Sequence, residues 1–485
     1  MQITPRRSWV LAMAGLIATA NVAHAATNEE LEARLDRMEQ MLMQTRAELE
    51  EQKQATAEAQ RQARQMTQTA SKDTEKRQPT VSGADTQQDT QVAAASPKTE
   101  HDDPIGTFRL GENTTATIGG YIKADTNYSH YDNGDVGKRN ELFYTVGGIP
   151  VGPDSAKSTD STQFTAQQTR LHLTTITKLG GHKIKGYIES DFYGDQAEGQ
   201  DRVVNDYSPR LRHAFIELDD TWLFGQTWTT FMDMKAYPET LDFIGPTEGQ
   251  VFVRQAMLRY TKNGFSAAIE NPETTFEFDS LPETDNARVT RPTNSDHYPE
   301  LTFDYTDTGD YGHFSVGALA KTVSTDGDFS GVGGVRNTND TAFGYGLRLS
   351  GSFNITERGD AFLYQGYYGD GIGRYVAIGA VPAGYVQDDG DIDTIQAYGG
   401  YIDYRHYWTE KWRSNLVLGG MGVDNPRGLR NSLITKQAAS VHANLLWSPV
   451  DPLTLGGEYL YAQREVENGF DGNFNRVQFS AKYDF

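Results

Sequence analysis

The strongest constraint in this chain is a series of sixteen short segments in which apolar and polar residues alternate. They lie between about Ile105 and Phe485, from "TIGGYIKADTNYSHY" and "TAQQTRLHLTTIT" to "LTLGGEYLYAQ" and "RVQFSAKYDF". A period of two is the mark of a strand with one apolar and one polar face. The connections are sorted as well. Short turns such as "KLGGH", "DDT", "TKNG", "TERGD", "TEK" and "SPVDP" alternate with long loops, the longest from about Asp132 to Thr162. An even number of strands, with short turns at one end and long loops at the other, is the pattern of a closed transmembrane barrel. Sandwiches and propellers do not sort their loop lengths in this way. The predicted fold class is all-β: a 16-stranded antiparallel transmembrane β-barrel, with a helical coiled-coil segment at its N-terminus.

Composition agrees with that reading. Only 37% of the residues are hydrophobic, yet there are 48 Gly, 25 Tyr and 22 Phe, as expected where only alternate residues meet lipid. After the first 25 residues no run of about 20 apolar residues occurs, so no transmembrane helix is expected. The absence of cysteine excludes disulfides, thiolate metal sites and a cysteine nucleophile. The sequence calls for no metal and no cofactor. A formal charge of −22 argues against nucleic acid as a partner.

Four zones follow from the N-terminus. Residues 1–25 read as a signal peptide, with Arg6 and Arg7, the apolar run "WVLAMAGLIATANV" and the small-x-small site Ala23-His24-Ala25. Residues 28–70 contain no Gly or Pro and carry a heptad register. Leu35, Leu42 and Leu49 fall on one seam position, Leu31 and Met38 on the other, which predicts a coiled coil and hence an oligomer. Its seam weakens beyond Leu49. Residues 71–104 are polar and read as a flexible linker. Residues 105–485 form the barrel. An even strand count puts both barrel ends on the periplasmic side, so the coiled coil is expected in the periplasm.

In a lipid-embedded barrel the polar phase of each strand faces the lumen. That phase carries Lys123, Arg170, Lys185, Arg210, Arg212 and Arg259, together with Arg254, which sits near a loop on an ambiguous phase. Leu211 and Phe215 are then expected outside. Rings of Arg and Lys in a narrow pore favour anions, and paired Arg suits carboxylates. Asp125, Glu189 and Asp191 lie close in sequence to these bases and are expected as counter-charges in the wall. The loop "DMKAYPETLDFIGPTEGQ" is apolar at Tyr237, Leu241, Phe243 and Ile244. Residues of that kind rarely crown an exposed loop, so it is expected to fold inward and narrow the pore, or to contact another subunit. The C-terminal strand alternates through Phe479, Tyr483 and Phe485. It is expected to close the barrel against "TIGGYIKAD" and to act as an assembly signal.

The segments "IGGYIKADTNY", "QQTRLHLTTIT", "PRLRHAFIEL", "WLFGQTWTTFMD" and "RQAMLRYT", preceded by heptads and a linker, resemble the DcaP-like outer-membrane porins. The resemblance covers the mature chain. It implies a homotrimer of sixteen-stranded barrels in the outer membrane, N-terminal coiled coils in the periplasm, and passive uptake of small anionic solutes, typically dicarboxylates. The residues matching the basic inner wall are Arg170, Arg210, Arg212, Arg254 and Arg259. Outer-membrane lipid and the barrel-assembly machinery are the other implied partners. Two alternatives stand beside this reading: an envelope tethering protein, and a barrel hydrolase using histidines such as His172 or His213. No Gly-x-Ser-x-Gly elbow supports the second.

Overall fold

The computed structural model describes residues 106–485, apart from 135, 137–141, 154–156, 195–207, 279–297, 328–337, 388–389 and 430–432. The expected signal peptide, coiled coil and linker lie outside the described residues.

Sixteen strands form one closed ring. In chain order they begin with β1 (Thr114–Tyr131), β2 (Thr159–Thr165 and Arg170–Leu179), β3 (His182–Asp191), β4 (Arg210–Leu218) and β5 (Trp222–Trp228). Next come β6 (Arg254–Lys262), β7 (Phe265–Glu270), β8 (Glu300–Gly309), β9 (Gly312–Gly327), β10 (Thr338–Asn354) and β11 (Ala361–Asp370). The last are β12 (Gln396–Tyr407), β13 (Trp412–Asp424), β14 (Thr435–Val450), β15 (Leu453–Val466) and β16 (Asp471–Asp484). Each pairs antiparallel with its neighbours, and β16 closes on β1 from Tyr121↔Asp484 to Tyr131↔Phe474. Closure leaves no strand edge for another chain to extend.

The alternation sorts side chains as a barrel requires. On β1, Ile118, Ile122 and Tyr128 are exposed on the outer face, while Tyr121, Lys123, Asp125, Asn127 and Ser129 are buried inside. Tight turns carry the chain round at one end. Asn263 (φ 52°) and Gly264 (φ 80°) both take the left-handed conformation that a two-residue hairpin needs.

Three details depart from a regular ladder. First, β2 begins at Thr159, inside the expected long loop, and leaves the ladder between Thr165 and Arg170. There the Thr169 hydroxyl accepts the Lys123 N–H at 3.2 Å. Second, β4 carries a bulge. Glu189 faces His213 while Ser190 faces Leu211, so Arg212 is the additional residue. Arg212 and His213 both turn inward and are buried, and the phase inverts beyond them. Phe215, expected outside, therefore packs inside beneath Lys185, whose Nζ lies 5.8 Å from its ring centre, and Ile216 takes the outer face. Third, Thr107–Arg109 pairs with Thr115–Thr117 of β1, beside the end of β16.

Long loops fold back into the ring and build a hydrophobic core there. Tyr144 and Val146 from one loop, Phe231 and Val251 from a second, and Tyr375 and Val376 from a third form one buried cluster. The second and third are joined by the Phe252 N–H donating to the Tyr375 carbonyl at 2.9 Å. The third loop also supplies Gly384–Val386 and Ile392–Thr394 to a small sheet with Phe276–Phe278.

Candidate permeation site

The loop between β5 and β6 folds into the ring and is fastened to its inner wall. Its carboxylates are spaced so that each reaches a different part of the wall. Asp233 Oδ2 accepts from His313 at 2.8 Å and Ser350 at 2.6 Å, with Arg348 3.6 Å away. Glu239 takes the Arg413 guanidinium through both oxygens, at 2.8 and 2.5 Å. Asp242 pairs with the buried Arg476 at 3.2 Å and accepts the Tyr144 N–H at 2.8 Å. Glu248 accepts from the Tyr144 hydroxyl at 2.9 Å and from Ser440 at 2.5 Å. Burial pushes the Asp242 and Glu248 carboxyls up; Arg476 opposes this at Asp242 and the Ser440 hydroxyl at Glu248.

The loop backbone is held as firmly. Glu458 accepts the Leu241 N–H at 2.7 Å, and the Leu241 carbonyl accepts Lys123 Nζ at 2.6 Å and Gln478 at 2.8 Å. Residues 246–249 lie flat on β12 and β13. A Cβ on Gly419 would stand 2.2 Å from Glu248 Oε1, and one on Gly249 would stand 2.5 Å from the Gly400 carbonyl. The glycine pairs in "YGGY" and "LGGMG" are thus the bare floor on which the loop rests.

The loop turns its apolar edge to the opposite side. Phe243 and Ile244 pack with Tyr193, and Phe143 and Ile378 lie against them. Three guanidinium groups surround the Phe243 ring: Arg170 at 5.9 Å, Arg210 at 5.9 Å and Arg212 at 5.8 Å from its centre. Arg254 stacks 4.7 Å over Trp228, which Arg212 also approaches at 5.8 Å. Cation–π contacts of this kind orient the guanidinium without neutralising it.

Carboxylates balance part of this cluster. Arg210 forms a bidentate pair with Asp191, at 3.0 and 2.7 Å. Arg212 donates to Glu189 at 2.6 Å and to Asp191 at 2.8 Å. Among the described residues Arg170 and Arg254 have no carboxylate at salt-bridge distance, and Arg170 Nε and Arg254 Nη1 are buried without a hydrogen-bond partner. Four cations against two carboxylates leave a formal local charge of +2, in a chain whose total is −22.

The remaining candidates separate from this cluster. Lys123 serves the loop, bonding Leu241 and Gln168 and pairing with Asp125 at 3.3 Å. Lys185 lies over Phe215. Arg259 sits on the inner phase of β6, across from Leu223 of β5 and Ala268 of β7. Tyr237 bonds the Ile244 carbonyl at 2.7 Å, closing the loop on itself. Phe479, Tyr483 and Phe485 are exposed on the outer face. Sequence reasoning restricted to the first six strands missed Arg348, Arg413 and Arg476, the cations that receive the loop's acids. The polar phase of β10, β13 and β16 carried them in plain view.

The two histidines named as hydrolase candidates have other partners among the described residues. His172 stacks on Tyr187 at 5.6 Å, and His213 Nδ1 shares a hydrogen bond with Thr227 at 3.0 Å. A Ser352–His313–Asp233 chain does exist, with both links at 2.8 Å. Its Asp233 end is occupied by Ser350 and Arg348 and anchors the loop.

No curated protein matches the chain. Solved structures do. The outer membrane channel DcaP of Acinetobacter baumannii is 22% identical, with a TM-score of 0.62, over 79% of this chain and 100% of that one. OmpF of Salmonella typhi, in complex with daunomycin, is 12% identical with a TM-score of 0.48 over 78% of this chain and 100% of its own. A loop-deletion mutant of OmpT of Vibrio cholerae is 10% identical with a TM-score of 0.44 over 76% of this chain and 99% of its own. With the barrel and its inward loops in place, and with the family model of the DcaP outer membrane protein matching residues 94–485, the chain belongs to the DcaP outer membrane protein family.

Proposed function

We propose that the chain is an outer-membrane porin through which small anionic solutes, dicarboxylates above all, diffuse passively. The observation that carries this is the convergence of Arg170, Arg210 and Arg212 on Phe243 of the β5–β6 loop, with Arg254 beside them over Trp228, and, among the described residues, Glu189 and Asp191 as the carboxylates bonded to them. A solute carboxylate supplies what Arg170 Nε and Arg254 Nη1 lack, and two carboxylates on one small solute can engage two guanidinium groups. The lumen is a low-dielectric constriction in which such a local field decides selectivity. The loop carrying Tyr237, Leu241, Phe243 and Ile244 sets the width of the path. The same reading makes the functional unit a homotrimer in outer-membrane lipid, with residues 28–70 as periplasmic coiled coils.

Purified protein in planar bilayers under a salt gradient tests it. The expected result is a conductance whose reversal potential marks anion preference, reduced by millimolar dicarboxylate. Absence of conductance, or cation preference, would sink the proposal. Deleting residues 28–70 should leave single-channel conductance unchanged while weakening the oligomer.

A further inference from the structure

The third loop, between β11 and β12, is tied at its neck and strained at its tip. A Cβ on Gly373 would stand 2.2 Å from the Val381 carbonyl oxygen, so the two limbs of the loop lie directly on each other. Val376 bridges to Val251 of the second loop. The Tyr375 hydroxyl accepts from Gln255 at 2.9 Å and donates to Glu300. Ile372, Tyr375, Val376 and Ala377 are fully buried. Beyond that neck the backbone is left-handed at three consecutive residues: φ is 49° at Ala377, 53° at Ile378 and 69° at Gly379. Glycine takes this conformation freely, whereas a β-branched residue rarely does. Ile378 is thus held against its own backbone preference, and such a conformation persists only where the surroundings over-determine it.

Those surroundings are the permeation site. Ile378 packs against the cluster of Tyr193, Phe243 and Ile244. Two of these rings carry guanidinium groups: Arg210 lies 5.6 Å from the Tyr193 ring centre and 5.9 Å from that of Phe243. Next along the chain is open space, since among the described residues a Cβ on Gly379 would meet no atom within 4 Å. Ile378 and Gly379 are the half-exposed residues in a stretch otherwise buried from Tyr375 to Val381. An aliphatic side chain at this place alters the width beside the guanidinium groups and not their charge. We propose that Ile378 determines the size of solute the path accepts, by limiting how bulky an anion can be and still reach Arg170, Arg210 and Arg212. The inference rests on the reading of this site as an anion path.

The test uses the full chain in planar bilayers. Ile378→Gly removes the side chain and suits the left-handed backbone, so the barrel is expected to fold, as read by its heat-dependent gel mobility. Reversal potentials give two permeability ratios. The chloride-to-potassium ratio should match the parent's, because no charge changes. The gluconate-to-chloride ratio should rise by roughly threefold or more, and it should fall in Ile378→Trp. An unchanged gluconate ratio in a folded, anion-selective Ile378→Gly channel would overturn the inference and leave the anion path standing; a parent channel that prefers cations would overturn both. The chain has no cysteine, so Ile378→Cys places a single thiol at the tip. Benzyl methanethiosulfonate, bulky and uncharged, should roughly halve the conductance of that variant. It should leave the conductance of Asp451→Cys, exposed in the turn between β14 and β15, as it was. No modification at position 378, or modification by mass without loss of conductance, would each overturn the inference, and this arm stands should Ile378→Gly not fold.

Discussion

Arg254→Gln separates the charge of the basic cluster from its architecture. Arg254 stacks on Trp228 and has no carboxylate partner among the described residues, so the substitution removes one positive charge and leaves no acid unpaired. The formal charge of the cluster falls from +2 to +1, since Arg170, Arg210 and Arg212 still face Glu189 and Asp191. One unit charge about 6 Å from a permeating anion is worth roughly 0.7 kcal/mol at the dielectric of water and roughly 3 kcal/mol at an effective value of about 20. The anion's permeability should therefore drop by roughly threefold to a hundredfold, and the anion-to-cation ratio by at least that factor, with a wet lumen favouring the low end. Reversal potentials read the ratio directly. They should be taken below about 0.1 M salt, where the Debye length exceeds about 10 Å. Arg212→Gln is the contrasting case: it strips the buried Glu189 and Asp191 of a shared partner and should cost several kcal/mol of stability, about 3–5 where a buried pair is broken. Should Arg254→Gln leave the reversal potential unchanged in a folded barrel, the cluster belongs to the wall and the field argument is wrong.

Other outcomes follow from the loop and the seam. Gly419→Val places a side chain where Glu248 and Pro246 lie, 2.2 and 2.7 Å from the new Cβ; it should lift the loop and raise single-channel conductance, at about 1–3 kcal/mol of overpacking strain. Burial alone would raise the Asp233 carboxyl, but the hydrogen bond and charge of His313, then Arg348 and Ser350, hold it down to about 2. A depressed carboxyl gives stability that is present above its ordinary value near 3.8 and is lost as pH falls towards 2. Channel noise from the loop should accordingly stay constant from pH 7 to about 4 and grow below it, and Asp233→Asn should abolish that step. Removing Phe485 deletes two hydrogen bonds to Gly120, each 3.0 Å, about 1 kcal/mol apiece; the yield of inserted barrel should fall more than the conductance of what inserts.

The strand series was legible because period two reports burial directly. All sixteen segments form strands, and the turn after Lys262 has the Asn-Gly pair its backbone conformation needs. What stayed hidden was set by single residues that break the period. The bulge at Arg212 inverts the rest of β4, and nothing in "PRLRHAFIEL" marks it: Phe215 and Ile216 fit either phase equally well. The break in β2 after Thr165 is concealed for the same reason, because "TAQQT" is polar whether or not it stays in the ladder. The loop between β5 and β6 announced itself by its apolar residues. Its attachment did not, because Asp233, Glu239, Asp242 and Glu248 meet partners 80 to 234 residues further along the chain. Pairings of that range cannot be read from local pattern.

On the proposed anion path, the direction in which the loop turns its acids governs the local charge. Asp233, Glu239, Asp242 and Glu248 could neutralise the guanidinium cluster if they faced it. All four point instead to strands β9 to β16, where His313, Arg348, Arg413, Arg476 and Ser440 receive them. Phe243 and Ile244, on the intervening edge, are what the loop offers Arg170, Arg210 and Arg212. A chain of formal charge −22 can thus keep a guanidinium cluster of formal charge +2, because the four acids of this loop are directed away from it. The two properties are coupled: a substitution that frees Asp242 or Glu248 from the far wall releases negative charge next to the cluster. Arg476→Gln should therefore reduce anion preference although Arg476 lies outside the basic face. If Arg476→Gln leaves both conductance and selectivity as they were, loop anchoring and selectivity are independent.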